Sequence, residues 1–90
     1  MKWIEMIRLI GQCDEQRELD RLIAPEKIVD QETGVLDAGI YFNPNCANEL
    51  CLQLLWDTDK PQIRGSRVGL SMSEALKQYG LVNHVIWISF

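Results

Sequence analysis

The sequence predicts an α+β domain of β-α-β-β-α-β order, the ferredoxin-like plan in which a four-stranded antiparallel sheet carries two helices on one face. Three observations predict it. Between residues 50 and 56, Leu50, Leu52, Leu54 and Trp56 alternate at the period of a strand and leave Cys51, Gln53 and Leu55 on the other side. Val68, Met72, Ala75, Leu76 and Tyr79 recur at helical spacing, and Gly80 follows as the residue a helix C-terminus most often takes. Beyond it, residues 81 to 90 are rich in β-branched and aromatic side chains and too short for another capped helix. They read as a strand with apolar residues on both faces.

The remaining elements follow in order. Trp3, Ile7 and Leu9 share one face of a first strand and Ile4, Met6 and Ile10 the other, with one charge on each face, Glu5 or Arg8. Asp14 and Glu15 suit the positive end of a helix running to Ile23, whose apolar stripe is only Leu19, Leu22 and Ile23. Pro25 either ends that helix or opens a second turn in which Ile28 and Val29 dock. Gly34 breaks the helical run, and residues 35 to 42 make a second strand with a heavy end at Ile40, Tyr41 and Phe42. The turn formers of 43–48 connect it to the third strand as a hairpin. The second helix has two possible starts. Ser71 and Glu74 fit a capping box, but the apolar stripe already begins at Val68, which favours Ser66 as the cap.

Ninety residues make one domain, 1–90, with limited core material. No run approaches the roughly 20 apolar residues of a membrane span, and Glu5 and Arg8 interrupt any signal-like N-terminus. A cytoplasmic protein is expected. The three cysteines, Cys13, Cys46 and Cys51, form no CxxC pair and have no histidine at ligand spacing, which argues for reduced thiols and against a metal site. A net charge of −4 and a pI near 4.8 argue against nucleic acid as partner. With helices on one face only, apolar residues on the open face would need a cover, so a homodimer is expected.

The β-α-β-β-α-β plan, the strand end Leu54-Leu55-Trp56, the Gly65-Ser66 loop and the terminal strand from Gly80-Leu81-Val82-Asn83-His84 to Trp87 resemble the dimeric α+β barrel superfamily, which includes the antibiotic-biosynthesis-monooxygenase-like proteins. The resemblance covers nearly the whole chain as topology. It implies two protomers joined sheet to sheet and, in some members, oxidation of polycyclic or haem substrates between sheet and helices. The haem-degrading members use an Asn of the first strand with a Trp and a His. Here the first strand has no Asn, Trp56 matches the Trp only loosely, and Asn83 and His84 are neighbours on opposite faces of one strand.

His84 is the single histidine and the only side chain whose unperturbed titration lies near neutrality. As a general base it needs a carboxylate or substrate within reach; otherwise it is a neutral imidazole packed in a sheet face or dimer contact, which is the expectation adopted here. Glu5 and Arg8 cannot pair within one face, and each is expected to meet a partner. Arg64, Gly65, Ser66 and Arg67 combine two cations with a flexible glycine, a composition that can hold an anion as well as cap a helix. Trp3, Trp56, Trp87 and Tyr41 are either aromatic pocket or core. The ligand-binding candidates are therefore His84, Asn83, Trp56, Arg64, Ser66 and Arg67, and no residue type specifies a cofactor. Two functions fit. The first is a small homodimeric ligand-binding or interaction module without an acid–base constellation; the second is a cofactor-independent monooxygenase-like or isomerase-like enzyme with a pocket near His84 or Asn83.

Overall fold

The computed structural model describes residues 1–11, 23–46 and 48–90. Four strands, β1 (Lys2–Gly11), β2 (Val35–Phe42), β3 (Glu49–Asp57) and β4 (Gly80–Ile88), form one antiparallel sheet in the order β2-β3-β1-β4. Helix α1 (Pro25–Gln31) packs on β2, and α2 (Arg67–Leu76) packs on β1 and β4. This is the α+β ferredoxin-like arrangement expected from the sequence. The helix anticipated between Asp14 and Ile23 lies outside the described residues except for Ile23, which is buried.

The alternation of β1 and β3 sets the two faces of the sheet. Trp3, Ile7 and Leu9 of β1 and Leu50, Leu52, Leu54 and Trp56 of β3 are all buried under the helices, and they form the core with Ile23, Ile28, Val35 and Leu76. Pro25 stands at the start of α1, where its missing N–H costs nothing, and Ile28 is the buried residue of that helix. Gly34, with φ of 96°, turns the chain into β2. The heavy end expected of β2 is not core: Tyr41 and Phe42 are exposed, whereas Val35, Ala38 and Ile40 face inward.

Ser66 caps α2, its hydroxyl accepting a hydrogen bond from the Gly69 N–H at 2.9 Å, so the helix starts where the apolar stripe indicates. It is α-helical to Leu76 and finishes as a 3₁₀ turn over Lys77–Tyr79 before Gly80. The row closest to the sheet differs from the row expected. Gly69, Ser73 and Leu76 are the fully buried positions, while Val68, Met72 and Tyr79 pack beside them. Small residues at 69 and 73 bring the helix backbone down onto β1, and the reason lies in the side chain beneath them.

The other face of the sheet has no covering layer among the described residues. Ile4, Met6, Leu55 and Val85 are half-buried there, and Ile10, Tyr41, Leu81 and Trp87 are exposed. No described helix is long and apolar enough to cross a membrane.

Candidate functional site

Glu5 lies on the helix-side face of β1, between Leu54 of β3 and Ile86 of β4, and is completely buried. A carboxylate removed from water is costly unless its oxygens are bonded. Each oxygen here has two polar partners. Oε1 accepts from the Trp56 indole Nε1–H at 3.1 Å and from the Ser66 hydroxyl at 2.6 Å. Oε2 accepts from the Ser66 backbone N–H at 2.9 Å and lies 2.6 Å from Nε2 of His84. The Trp and backbone N–H groups can only donate, so they fix the carboxylate's orientation.

Sheet register brings His84 to this carboxylate. It stands opposite Ile7, two residues along β4 from the Ile86 that faces Glu5, and a diagonal neighbour on the same face is within reach of long side chains. Its side chain is 16% exposed against none for Glu5, so the imidazole is the accessible end of the pair. Two glycines make room. A Cβ at Gly69 would collide with the Glu5 carboxyl, and one at Gly65, where φ is also positive at 105°, would collide with the His84 ring. The Gly65-Ser66 segment therefore does three things at once: it touches the imidazole, supplies two donors to Glu5 and caps α2.

The expectation of a His84 packed without a polar partner is thereby corrected: its Nε2 lies against the Glu5 carboxylate. Glu5 turns inward to His84 instead of meeting a partner. With Nε2 engaged by the carboxylate, Nδ1 is the nitrogen left for another group, the arrangement in which a carboxylate fixes the tautomer of a histidine base. Nothing in the local sequence around Glu5 announces this, because its neighbour lies 79 positions away.

The other candidates fall in different places. Trp56 touches Glu5 and stacks on Trp3, with ring centroids 5.1 Å apart and planes within 8°. The Trp3 indole N–H donates to the Thr58 hydroxyl at 2.9 Å. Trp87 and Tyr41 belong to the open face, so the aromatic residues do not form one pocket. Asn83 is exposed on that face too, opposite Arg8, and cannot share a site with His84. Ser66 is buried in the site, whereas Arg64 and Arg67 are exposed on either side of the Gly65-Ser66 segment. Arg8 reaches Glu49 at 3.2 Å instead of a partner. Beside that ion pair, burial pushes the Cys51 thiol up and outweighs the opposing pull of Arg8. No group of His, Cys, Asp and Glu able to hold a metal occurs among the described residues.

No protein-family model matches the sequence, and no curated protein matches it. One solved structure is similar. It is a structure of Rv0793 from Mycobacterium tuberculosis, which superposes with a TM-score of 0.71 at 18% identity over 100% of this chain and 96% of that one. At that identity the likeness supports the fold alone.

Proposed function

We propose that this chain is a cytoplasmic, homodimeric small-molecule-binding module whose Glu5–His84 pair makes it competent in proton transfer, in the manner of a cofactor-independent isomerase or monooxygenase. The observation that carries this reading is the 2.6 Å contact between the accessible His84 and a buried Glu5 already held by three donors. A histidine so oriented is a preorganised base, and positioned general bases contribute about 10²- to 10⁴-fold to rates. Ligands with an acidic proton, such as α-hydroxyketones and phenols, suit a base of this kind. The dimer is supported by the apolar side chains of the open face, where Trp87 and Leu81 are 59% and 76% exposed. The three cysteines without a pairing pattern support the cytoplasmic assignment.

Solvent-deuterium exchange tests the proton-transfer step. A panel of α-hydroxyketones is incubated with the protein in D₂O and the signals of the C–H beside the carbonyl are followed by NMR. Exchange above the buffer rate, reduced about 100-fold or more in His84→Asn, is the expected result. Exchange that never exceeds buffer with any member of the panel would leave a binding or interaction module without proton chemistry.

A further inference from the structure

A cavity of about 200 Å³ opens on the far side of Trp56 from β4, at the end of the sheet between the C-terminal end of α1 and the loop that enters α2. Trp3, Trp56 and Val68 are its apolar lining, and the polar lining includes Thr58, Gln62, Lys60 and Arg67. Two of its lining residues are cationic. Lys60 and Arg67 have no ion-pair partner among the described residues, and Arg67 opens a helix with no acidic residue in its first turn. Glu32 contributes one negative charge to the same lining and is likewise without an ion pair there. The lining thus carries a surplus of one positive charge, in a protein whose net charge is −4.

We propose that this cavity binds a small aromatic monocarboxylate, its ring against the indoles and its carboxylate between Arg67 and Lys60. The volume suits a single ring and lies below the roughly 300 Å³ at which sites for larger ligands begin. A guanidinium and an ammonium together recognise a carboxylate through charge-assisted hydrogen bonds. Ring contact with the indoles distinguishes such an acid from a bare inorganic anion. The cavity lies outside the imidazole's surroundings but shares Trp56 and Ser66 with the Glu5 shell, so an occupant contacts two of the groups that hold the carboxylate. The binding claim does not depend on the proton-transfer reading.

Titration of the uniformly ¹⁵N-labelled protein with benzoate, followed at the indole N–H resonances, tests the proposal. The resonances of Trp3 and Trp56 should move with saturation while that of Trp87, on the opposite face, stays in place. Benzamide, the neutral counterpart, and inorganic phosphate should each bind at least about tenfold more weakly than benzoate, the scale of one charge-assisted interaction. Arg67→Gln should weaken benzoate by a similar factor, and Lys77→Gln, which removes a charge outside the cavity, should leave it unchanged. The proposal is overturned by unmoved Trp3 and Trp56 resonances, by equal binding of benzamide or phosphate, or by wild-type affinity in both Arg67→Gln and Lys60→Gln.

Discussion

The two faces of the sheet are built by alternate residues of the same strands, yet they solve different problems. On the helix side, β1 offers Trp3, Glu5, Ile7 and Leu9, all buried, and the one charge among them is satisfied by polar partners from β3, β4 and the entrance to α2. On the open side, β1 offers Ile4, Met6, Arg8 and Ile10, and the charge there pairs with Glu49 at the surface. Among the described residues, apolar side chains are thus left uncovered on the open face while a carboxylate is enclosed on the other. Hydrophobicity alone would not place them so. Burying Glu5 makes sense only as part of the network it organises, and leaving Trp87 exposed makes sense only if something covers it.

The largest effect that tests this contrast is expected at Glu5. Leaving buried hydrogen-bonding groups unpaired costs about 1 to 3 kcal/mol each, and Glu5→Gln sets an amide NH₂ against groups that donate. Urea denaturation should show a loss of that order, whereas Arg8→Gln on the open face should change stability by less than about 1 kcal/mol, as exposed ion pairs do. Equal losses at the two sites would erase the distinction between the faces.

Next in size is the apolar core itself. Leu54 is fully buried in the middle of β3, so Leu54→Ala should destabilise by about 2 to 5 kcal/mol. A change below about 0.5 kcal/mol would mean that the register of β3, and with it the position of Trp56 against Glu5, is wrong.

The open face is sharpened by association. Sedimentation equilibrium at micromolar concentration should give twice the 10.4 kDa chain mass. Trp87→Asp should lower the mass toward one chain while retaining the far-ultraviolet circular dichroism of the wild type. A monomeric wild type would leave the exposed Trp87 and Leu81 without the cover proposed for them.

The smallest effect concerns Cys51, on the same face. Its thiol is pushed up by burial, so the folded state holds the proton to higher pH than the unfolded chain does. The unfolded thiol begins to lose its proton near pH 8.5; from there stability should fall as pH rises toward the folded value. Cys51→Ser should flatten that limb of the stability curve, and an unchanged slope would place the thiol in water.

Much of the fold was legible because it rests on local periodicity. The Leu50 to Trp56 alternation and the Ser66 cap depend on residues within a turn or two of one another, and both are found in the structure; of the two readings open for Pro25, the structure takes the helix start. The site was only partly legible. Face assignment separates His84 from Asn83, but the pairing of His84 with Glu5 depends on how β4 registers against β1, which no local pattern specifies. Gly69 was equally opaque: it is a poor helix former within α2, and its use is clear only with the Glu5 carboxyl beneath it. The sequence signal that existed was Glu5 itself, a charge on the otherwise apolar face of Trp3, Ile7 and Leu9.

The central claim is that a buried Glu5 fixes the His84 imidazole with Nε2 toward the carboxylate and Nδ1 left for a ligand. A long-range ¹H–¹⁵N correlation spectrum of the single histidine measures this directly. The account predicts a proton on Nε2, shifted downfield by a strong hydrogen bond and returned toward ordinary values in Glu5→Gln. A proton carried on Nδ1 alone, or an Nε2 signal indifferent to Glu5→Gln, would contradict it.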